Sequence, residues 1–212
     1  MARSDPLDAV TLPVGIRFLG GPICLDFANT TEQLRSETPN DWLTSYEVLL
    51  VWSRIRGTLA VGTVERLAHR AGRQRAAAHE TFAQACAVRA DIRALAGVLA
   101  DGRPVARALA GLNTRLAALP PQPGINVSAE GRRGHFRLSG KCLDEPLWPV
   151  LWSLTALLTS DDAERVGRCR AHGCGYFFID TTLNRSRRFC STDGCGNRTR
   201  ARCFHERHRL GT

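Results

Sequence analysis

Four cysteines in the last quarter of the chain have the spacing of a metal site. Cys169 and Cys174 form one Cys-x4-Cys pair, and Cys190 and Cys195 form a second pair that is separated from the first by fifteen residues. Each pair is short enough to hold one ion from a tight turn, and the intervening segment is long enough for the two turns to meet. Four thiolates suit the tetrahedral preference of Zn²⁺. The pattern therefore predicts a structural zinc site with no open coordination position.

Other ligands and another metal chemistry are compatible with parts of this segment. An iron–sulfur cluster is also held by four cysteines and is the main alternative to zinc. A redox pair fits less well, because such pairs usually have the shorter Cys-x-x-Cys spacing. Further candidate ligands nearby are His172, Cys203, His205 and His208. His205 and His208 could replace the first pair as ligands, but Cys169 and Cys174 would then have no role.

The cysteine segment also carries most of the positive charge of the chain. The net charge is +9, and residues 168–209 contain ten arginines against three acidic residues. Lys141 is the single lysine, so the use of arginine reflects a bias of the whole chain, and only the clustering is informative. A concentrated positive surface of this kind favours nucleic acid as the partner.

A helix is predicted directly after the fourth cysteine, over GNRTRARCFHERHR. Arginine can bond phosphate oxygens and guanine, and asparagine can pair with adenine, so this helix has residues for backbone and base contacts. The alternative for its first residues is that they brace the metal turn by hydrogen bonds. The predicted nucleic-acid contacts are Arg185, Arg187, Arg188, Asn197, Arg198, Arg200 and Arg202.

Residues 1–162 are predicted to form a mostly helical domain with small β elements. Two short strands are predicted within residues 15–30, one on each side of a Gly-Gly-Pro turn, because apolar residues alternate there with smaller or polar ones. A hairpin is predicted over residues 125–140. Helices are predicted over residues 42–55 with Asp41 as the N-cap, and over residues 64–71, 74–100, 105–119 and 147–158.

The long helix over residues 74–100 has a continuous apolar face, formed by Ala85, Val88, Ile92, Leu95 and Leu99. These residues step by three and four, as one side of a helix does. We expect this face to pack in the core. A seam between two subunits is the alternative.

Several classes of protein are disfavoured by what the sequence lacks. The GxGxxG and phosphate-loop motifs are missing, and His69, His79 and His135 stand alone in sequence, so we predict that the protein is not an enzyme. There is no secretory signal and no apolar run long enough to span a membrane. Eight cysteines are too few for a disulfide scaffold. We expect a soluble cytoplasmic protein with no membrane partner.

Two sequence motifs resemble known families. The sequence CGNR at residues 195–198 is the motif that names the CGNR zinc-finger family, and the FxD of residues 178–180 and the Arg-Arg-aromatic-Cys of residues 187–190 also fit. LDFANT, at residues 25–30, resembles the LDFxNT signature that opens the ABATE domain. One departure is Phe189, where the finger family often has tryptophan.

The resemblance implies a stress-induced bacterial transcription regulator. Residues 1–162 would form an ABATE domain that senses a small-molecule effector, and residues 163–212 would form a zinc finger that binds double-stranded DNA. The expected fold class is α+β, with a finger of zinc-ribbon or treble-clef-like form. A homodimer is a further expectation, and an RNA-binding or protein-interaction module is the alternative function.

Polar residues of the N-terminal domain are candidates for the effector pocket that the resemblance implies. They are Asp26, Asn29, Thr30 and Arg89. The competing explanation is structural: Asn29 and Thr30 would cap a turn, and Asp26 would form a buried ion pair with an arginine.

Overall fold

The computed structural model describes residues 7, 16–31, 40–121, 124–127 and 134–210. The described helices are α1 (Ile23–Ala28), α2 (Tyr46–Arg56), α3 (Val61–Arg73), α4 (Arg75–Ala100), α5 (Ala106–Ala117), α6 (Trp148–Leu158) and α7 (Asn197–Leu210). The described strands are β1 (Ile125–Val127), β2 (Gly134–Phe136), β3 (Val166–Arg168) and β4 (Phe177–Ile179). They form two antiparallel pairs, β1 with β2 and β3 with β4. The predicted α+β class, with a mostly helical N-terminal part, is confirmed.

Helix α4 is the centre of the helical body. Helices α1, α2, α3 and α5 pack against it, and so do β3 and β4. Ala85, Val88, Ile92 and Leu95 are buried along one side of α4, which confirms the expected packing of its apolar face in the core. Within the described part of the chain, no helix is both long and apolar enough to cross a membrane.

Helix α6 and the first hairpin close another side of the core. Most of α6 is buried because its sequence is apolar all round. Ile125 pairs with Phe136 across the hairpin, and the Phe136 ring lies 5.1 Å from that of Trp152 on α6, measured between centroids. The helix and the hairpin were both predicted. Residues 128–133, which connect the two strands, lie outside the described residues.

The segment that was predicted to form two N-terminal strands contains α1 instead. Pro22 precedes this helix, and its carbonyl accepts the backbone N–H groups of Leu25 and Asp26 at 3.1 Å each. Residues 24–28 are all buried, with α4, α6 and β4 packed around them. A short element buried on every side is apolar at strand and helix spacing alike, so alternation could not distinguish the two. The strand prediction was wrong for this reason.

Helix α2 begins four residues later than predicted. Its N-cap is Ser45, whose hydroxyl oxygen accepts the Val48 N–H at 3.3 Å. Asp41, the predicted cap, accepts the backbone N–H of Leu43 at 3.0 Å and forms an ion pair with Arg89. Asp41 therefore stabilises the segment that precedes α2 and not the first turn of that helix.

The C-terminal segment shares its packing with the helical body. Phe177 and Ile179 of β4 belong to the main apolar core. Between them in sequence, Phe178 belongs to a second buried cluster, which contains the four cysteines together with Trp42 and Tyr176. Since neighbouring residues of a strand point to opposite faces, β4 separates the helical core from the cysteine cluster and contacts both.

Candidate metal centre and basic surface

The four cysteines come together as their spacing predicts. The Sγ atoms of Cys169, Cys174, Cys190 and Cys195 lie within 4.8 Å of one another, and all four residues are buried. The Sγ of Cys190 is 3.6 Å from those of Cys174 and Cys195. Sulfurs bound tetrahedrally at about 2.3 Å from one Zn²⁺ would be about 3.8 Å apart. The cluster is therefore a zinc-finger-like site whose dimensions fit a tetrahedral ion.

The first cysteine pair lies in the turn between β3 and β4. The backbone N–H of Cys169 donates to the carbonyl of Tyr176 at 2.8 Å, which closes the turn beside the strands. Gly173 and Gly175 have φ angles of +78° and +61°. Residues with a Cβ rarely adopt such angles, so the turn requires glycine at these two positions.

The second cysteine pair lies at the start of α7. Cys195 belongs to a π-helical turn, Thr192–Gly196, that leads directly into the helix. Ser191 fixes this turn: its hydroxyl oxygen accepts the Gly194 N–H at 3.0 Å and its carbonyl accepts the Gly196 N–H at 2.9 Å. One cysteine pair thus lies in a hairpin turn and the other at the start of a helix. This arrangement is treble-clef-like, which is one of the two forms expected; the zinc ribbon is the other.

The crowded thiols change one another's ionisation. Hydrogen bonds with Cys169 and Cys174, together with burial, raise the pKa of the Cys190 thiol. The pKa of Cys174 is raised to about 12, first by its hydrogen bond with Cys169. The same hydrogen bonds lower the pKa of Cys169, whose thiolate accepts them. Each further thiolate in the cluster would place negative charge beside the first in a buried site, which is unfavourable. A bound divalent cation removes this penalty.

Arg198 supplies positive charge to the edge of the cluster. Its Nη2 donates to the Sγ of Cys195 at 3.2 Å, and this contact raises the pKa of Arg198. The neighbouring Asn197 is exposed, and its Oδ1 accepts a hydrogen bond from Arg200. The geometry of Arg198 thus matches the bracing role considered for it. Asn197 instead contacts Arg200, about one turn further along α7.

Arg187 is directed into the finger. Its guanidinium donates to the backbone carbonyls of Ile179, Phe189 and Cys190 at 3.0, 3.0 and 2.5 Å. The same guanidinium lies 4.3 Å from the centroid of the Phe178 ring. These contacts tie β4 to the segment that carries the third cysteine. The sequence grouped Arg187 with the nucleic-acid contacts, but its donors are largely occupied within the finger.

Asp180 fixes the loop that follows β4, a role that the sequence indicated only through the FxD resemblance. Its carboxylate accepts the backbone N–H of Arg187 at 2.8 Å and both the N–H and the hydroxyl of Thr182, at 2.9 and 2.5 Å. Burial alone would raise the pKa of Asp180, but these hydrogen bonds outweigh it and the pKa is lowered. The carboxylate therefore remains ionised and holds the loop before Cys190.

The other predicted nucleic-acid contacts lie on the surface. They are Arg185, Arg188, Asn197, Arg200 and Arg202, all exposed. Arg185 pairs with Glu164 at 3.5 Å and Arg202 with Glu206 at 3.7 Å, and exposed pairs of this length are weak. Residues 200–209 of α7 are exposed on every side of the helix. The helix therefore projects from the metal site with its arginines in solvent.

Three of the four residues expected in an effector pocket have partners within the body. Asp26 accepts the Gly20 N–H at 2.8 Å and an ion pair from Arg56 at 2.7 Å. Thr30 donates to the carbonyl of Phe27 at 2.7 Å and accepts from Arg89 at 3.2 Å. Arg89 also forms an ion pair with Asp41. These contacts agree with the structural explanation for the three residues, which was the alternative to an effector pocket.

The fourth expected pocket residue, Asn29, joins the body to the finger. Its Nδ2 donates to the carbonyl of Phe177 and its Oδ1 accepts the Phe177 N–H, both at 2.8 Å. The asparagine and the strand lie 148 residues apart in the sequence. The side chain is buried, so the pair of hydrogen bonds is shielded from water.

A buried arginine of α4, which no sequence pattern singled out, supports the same junction. Arg93 donates to the carbonyls of Ala28 and Thr31 at 2.6 and 3.2 Å. Its guanidinium lies 5.3 Å from the centroid of the Phe177 ring, and that of Arg168 lies 5.5 Å from the same centroid. Burial lowers the pKa of Arg93 to about 10, so its charge persists at neutral pH. The junction therefore combines backbone hydrogen bonds with cation–π contacts.

The fold and the site together define a helical protein that carries a C-terminal zinc-finger-like site. Residues 21–161 match the family model ABATE, described as "Putative stress-induced transcription regulator". Residues 165–208 match the model of the CGNR zinc finger. The chain therefore belongs to the ABATE family and has a CGNR zinc finger after the ABATE domain, in the order that the two sequence motifs indicated. Neither description names an enzyme. A search of curated proteins returns no match to the chain.

Proposed function

We propose that this protein is a DNA-binding transcription regulator and that α7 is its principal contact with double-stranded DNA. The observation that carries the proposal is the exposure of α7, which contains five arginines against one glutamate and begins at the metal cluster. An α-helix fits the major groove, and arginines along it can reach both phosphates and base edges. The metal site holds the first turn of this helix in a fixed position.

The proposed metal is a structural Zn²⁺ held by Cys169, Cys174, Cys190 and Cys195. The supporting features are the four-sulfur ligand set, its tetrahedral dimensions and the match to a zinc-finger family. Four protein ligands fill the coordination sphere, so the ion organises the finger and takes no part in a reaction. The protein is accordingly proposed to act by binding and not by catalysis.

The proposed DNA surface divides by position. The major groove is assigned to Arg200 and Arg202 on α7, with Asn197 and Arg198 at the start of the helix, and an arginine there can bond a flanking phosphate as well as a base edge. Arg185 and Arg188 precede the third cysteine and are assigned to backbone phosphates, where exposed guanidinium groups bind without reading sequence. Arg187 is assigned to support of the finger, since three backbone carbonyls already occupy its guanidinium.

The remaining parts of the proposal concern the body and the setting. Residues 1–162 are proposed as a domain that senses a small effector and residues 163–212 as the DNA-binding finger, a division supported by the limits of the two family matches. The protein is proposed to act in the bacterial cytoplasm as a homodimer. Two copies would double the phosphate contacts and would favour a symmetric operator.

A second candidate function, RNA binding, is favoured by one observation. Phe204 on α7 is 51% exposed, and its ring centroid lies 4.0 Å from that of His208. Exposed rings can stack on the splayed bases of single-stranded RNA, which a DNA duplex does not offer.

A competition experiment separates the two functions. Zinc-loaded protein is bound to a fluorescent duplex from a pool of genomic fragments, and unlabelled duplex or single-stranded RNA is added at equal phosphate concentration. We expect the duplex to displace the probe at lower concentration. Preferential displacement by RNA, together with loss of that preference in Phe204→Ala, would support the second function instead.

A further inference from the structure

A groove of about 730 Å³ runs between the finger and the C-terminal end of α4. Asp101 lies at the α4 end and Glu164 lies between the body and β3. The arginines lining the groove are Arg165, Arg168, Arg170, Arg185, Arg187 and Arg202. With Asp180 included there are three acidic residues among the lining residues, so the groove has a net positive charge. A polar cavity with this charge favours an anionic ligand.

Four of these guanidinium groups are available for a ligand. Arg170 is exposed, and its side chain has no hydrogen bond or ion pair with any residue that the structure describes. Arg168, Arg185 and Arg202 pair with carboxylates only at 3.5, 3.5 and 3.7 Å and in solvent. Exposed pairs at such distances are weak, so a ligand with concentrated negative charge can replace the carboxylates.

The available arginines come from separate parts of the fold and converge on one space. Arg168 ends β3, Arg170 lies in the cysteine turn, Arg185 lies in the loop after β4, and Arg202 lies on α7. Contacts with the Phe177 ring and with the carbonyl of Gly97, at 3.3 Å, orient the Arg168 guanidinium. A ligand that contacted all four would connect the body to the DNA-binding helix.

We propose that this groove binds a small phosphorylated ligand that carries at least two negative charges. The groove is concave, and its volume lies in the range of pockets that enclose small molecules. Asp101 and Glu164 are among its lining residues and would repel a DNA strand that lay along the whole length of the groove. A compact phosphate ester can lie among the arginines and avoid both carboxylates.

Calorimetry with fructose 1,6-bisphosphate as the probe tests the proposal on the zinc-loaded full chain at constant ionic strength. We expect saturable binding with one ligand per chain, and no binding of fructose. Arg170→Ala should weaken binding at least about tenfold, because a charged hydrogen-bond donor is removed. Arg107→Ala, which removes an exposed arginine of α5, is the matched control and should leave affinity unchanged.

Two outcomes would overturn the proposal. One is the absence of saturable binding, and the other is equal weakening by Arg170→Ala and Arg107→Ala, which would indicate a response to net charge alone. Duplex binding by the same variants identifies the alternative use of the groove. If Arg170→Ala weakens duplex binding as much as Arg200→Ala does and the bisphosphate does not bind, the groove is part of the DNA surface. The bisphosphate result does not depend on whether the chain binds DNA, so the two proposals can fail separately.

Discussion

The side chain of Asn29 acts on the backbone of Phe177 as a neighbouring strand would. It satisfies both the N–H and the carbonyl of that residue at an edge of β4 where no strand of the described chain pairs. Buried backbone groups that lose their partners are costly. The LDFANT segment therefore has a structural task in this fold, namely attachment of the finger to the helical body.

Replacement of Asn29 by alanine should destabilise the protein in the absence of any ligand. Two buried backbone groups would lose their partners, which predicts a decrease of about 2–4 kcal/mol in the free energy of unfolding. Urea denaturation followed by circular dichroism measures this change. Asn113→Ala, at an exposed position of α5, is the control. A decrease below about 0.5 kcal/mol for Asn29→Ala would contradict the structural task.

At the cysteine cluster, Cys190→Ser should abolish stoichiometric zinc binding. A serine hydroxyl is a much poorer zinc ligand than a thiolate, and three sulfurs would leave the tetrahedral site open. Elemental analysis after dialysis should give one zinc per chain for the original protein and far less for the variant. Cys142→Ser removes an exposed thiol outside the cluster and should leave the zinc content unchanged. Retention of a full equivalent by Cys190→Ser would exclude the proposed ligand set.

At the scale of elements, α7 is anchored chiefly at its first turn. The π-helical turn that carries Cys195 is its principal contact, and the rest of the helix is exposed. A helix shorter than about 15 residues is marginal in water without tertiary packing, so the metal site and the proposed DNA partner would have to supply order to α7. Its fourteen residues place it in this range.

Replacing Arg200 and Arg202 together by alanine should weaken duplex binding and its dependence on salt. Loss of two phosphate contacts reduces the slope of log affinity against log salt by about 2 and reduces affinity at least about tenfold. Fluorescence anisotropy at several salt concentrations measures both. The double variant Arg73→Ala, Arg107→Ala removes the same charge from exposed positions of the body. If both double variants lose the same affinity, net charge and not α7 drives the binding.

The elements differ in how far the sequence could predict them. The cysteine spacing placed the metal cluster, and regular apolar spacing placed α4, because each signal is local. Helix α1 was missed because it is buried on every side. The tasks of Asn29 and Arg187 were missed because they depend on contacts between distant segments or on carbonyl positions, and residue type does not report these.

At the scale of the whole molecule, the finger and the body are packed as neighbours in one structure. Phe177 and Ile179 extend the helical core, while Trp42 of the body packs edge-on to Tyr176 beside the cysteines, with ring centroids 6.1 Å apart. A change at the metal site can therefore alter the packing of the body through these direct contacts.

Removal of the metal should consequently alter the environment of Trp42. A chelator added under reducing conditions should change the tryptophan fluorescence, and most of that change should be absent in Trp42→Phe. Trp148→Phe, at the start of α6, serves as the control and should retain the response. A response that survives intact in Trp42→Phe would show that metal loss acts elsewhere.

The proposed function depends on electrostatic recognition of a duplex by the metal-organised finger. The most direct test is the affinity of the zinc-loaded protein for duplex DNA across a tenfold range of salt concentration. If about five phosphates are contacted, log affinity should fall with log salt at a slope of about −4 to −5, and zinc removal should abolish binding. Affinity that stays constant across that range, or that is the same without zinc, would contradict the account.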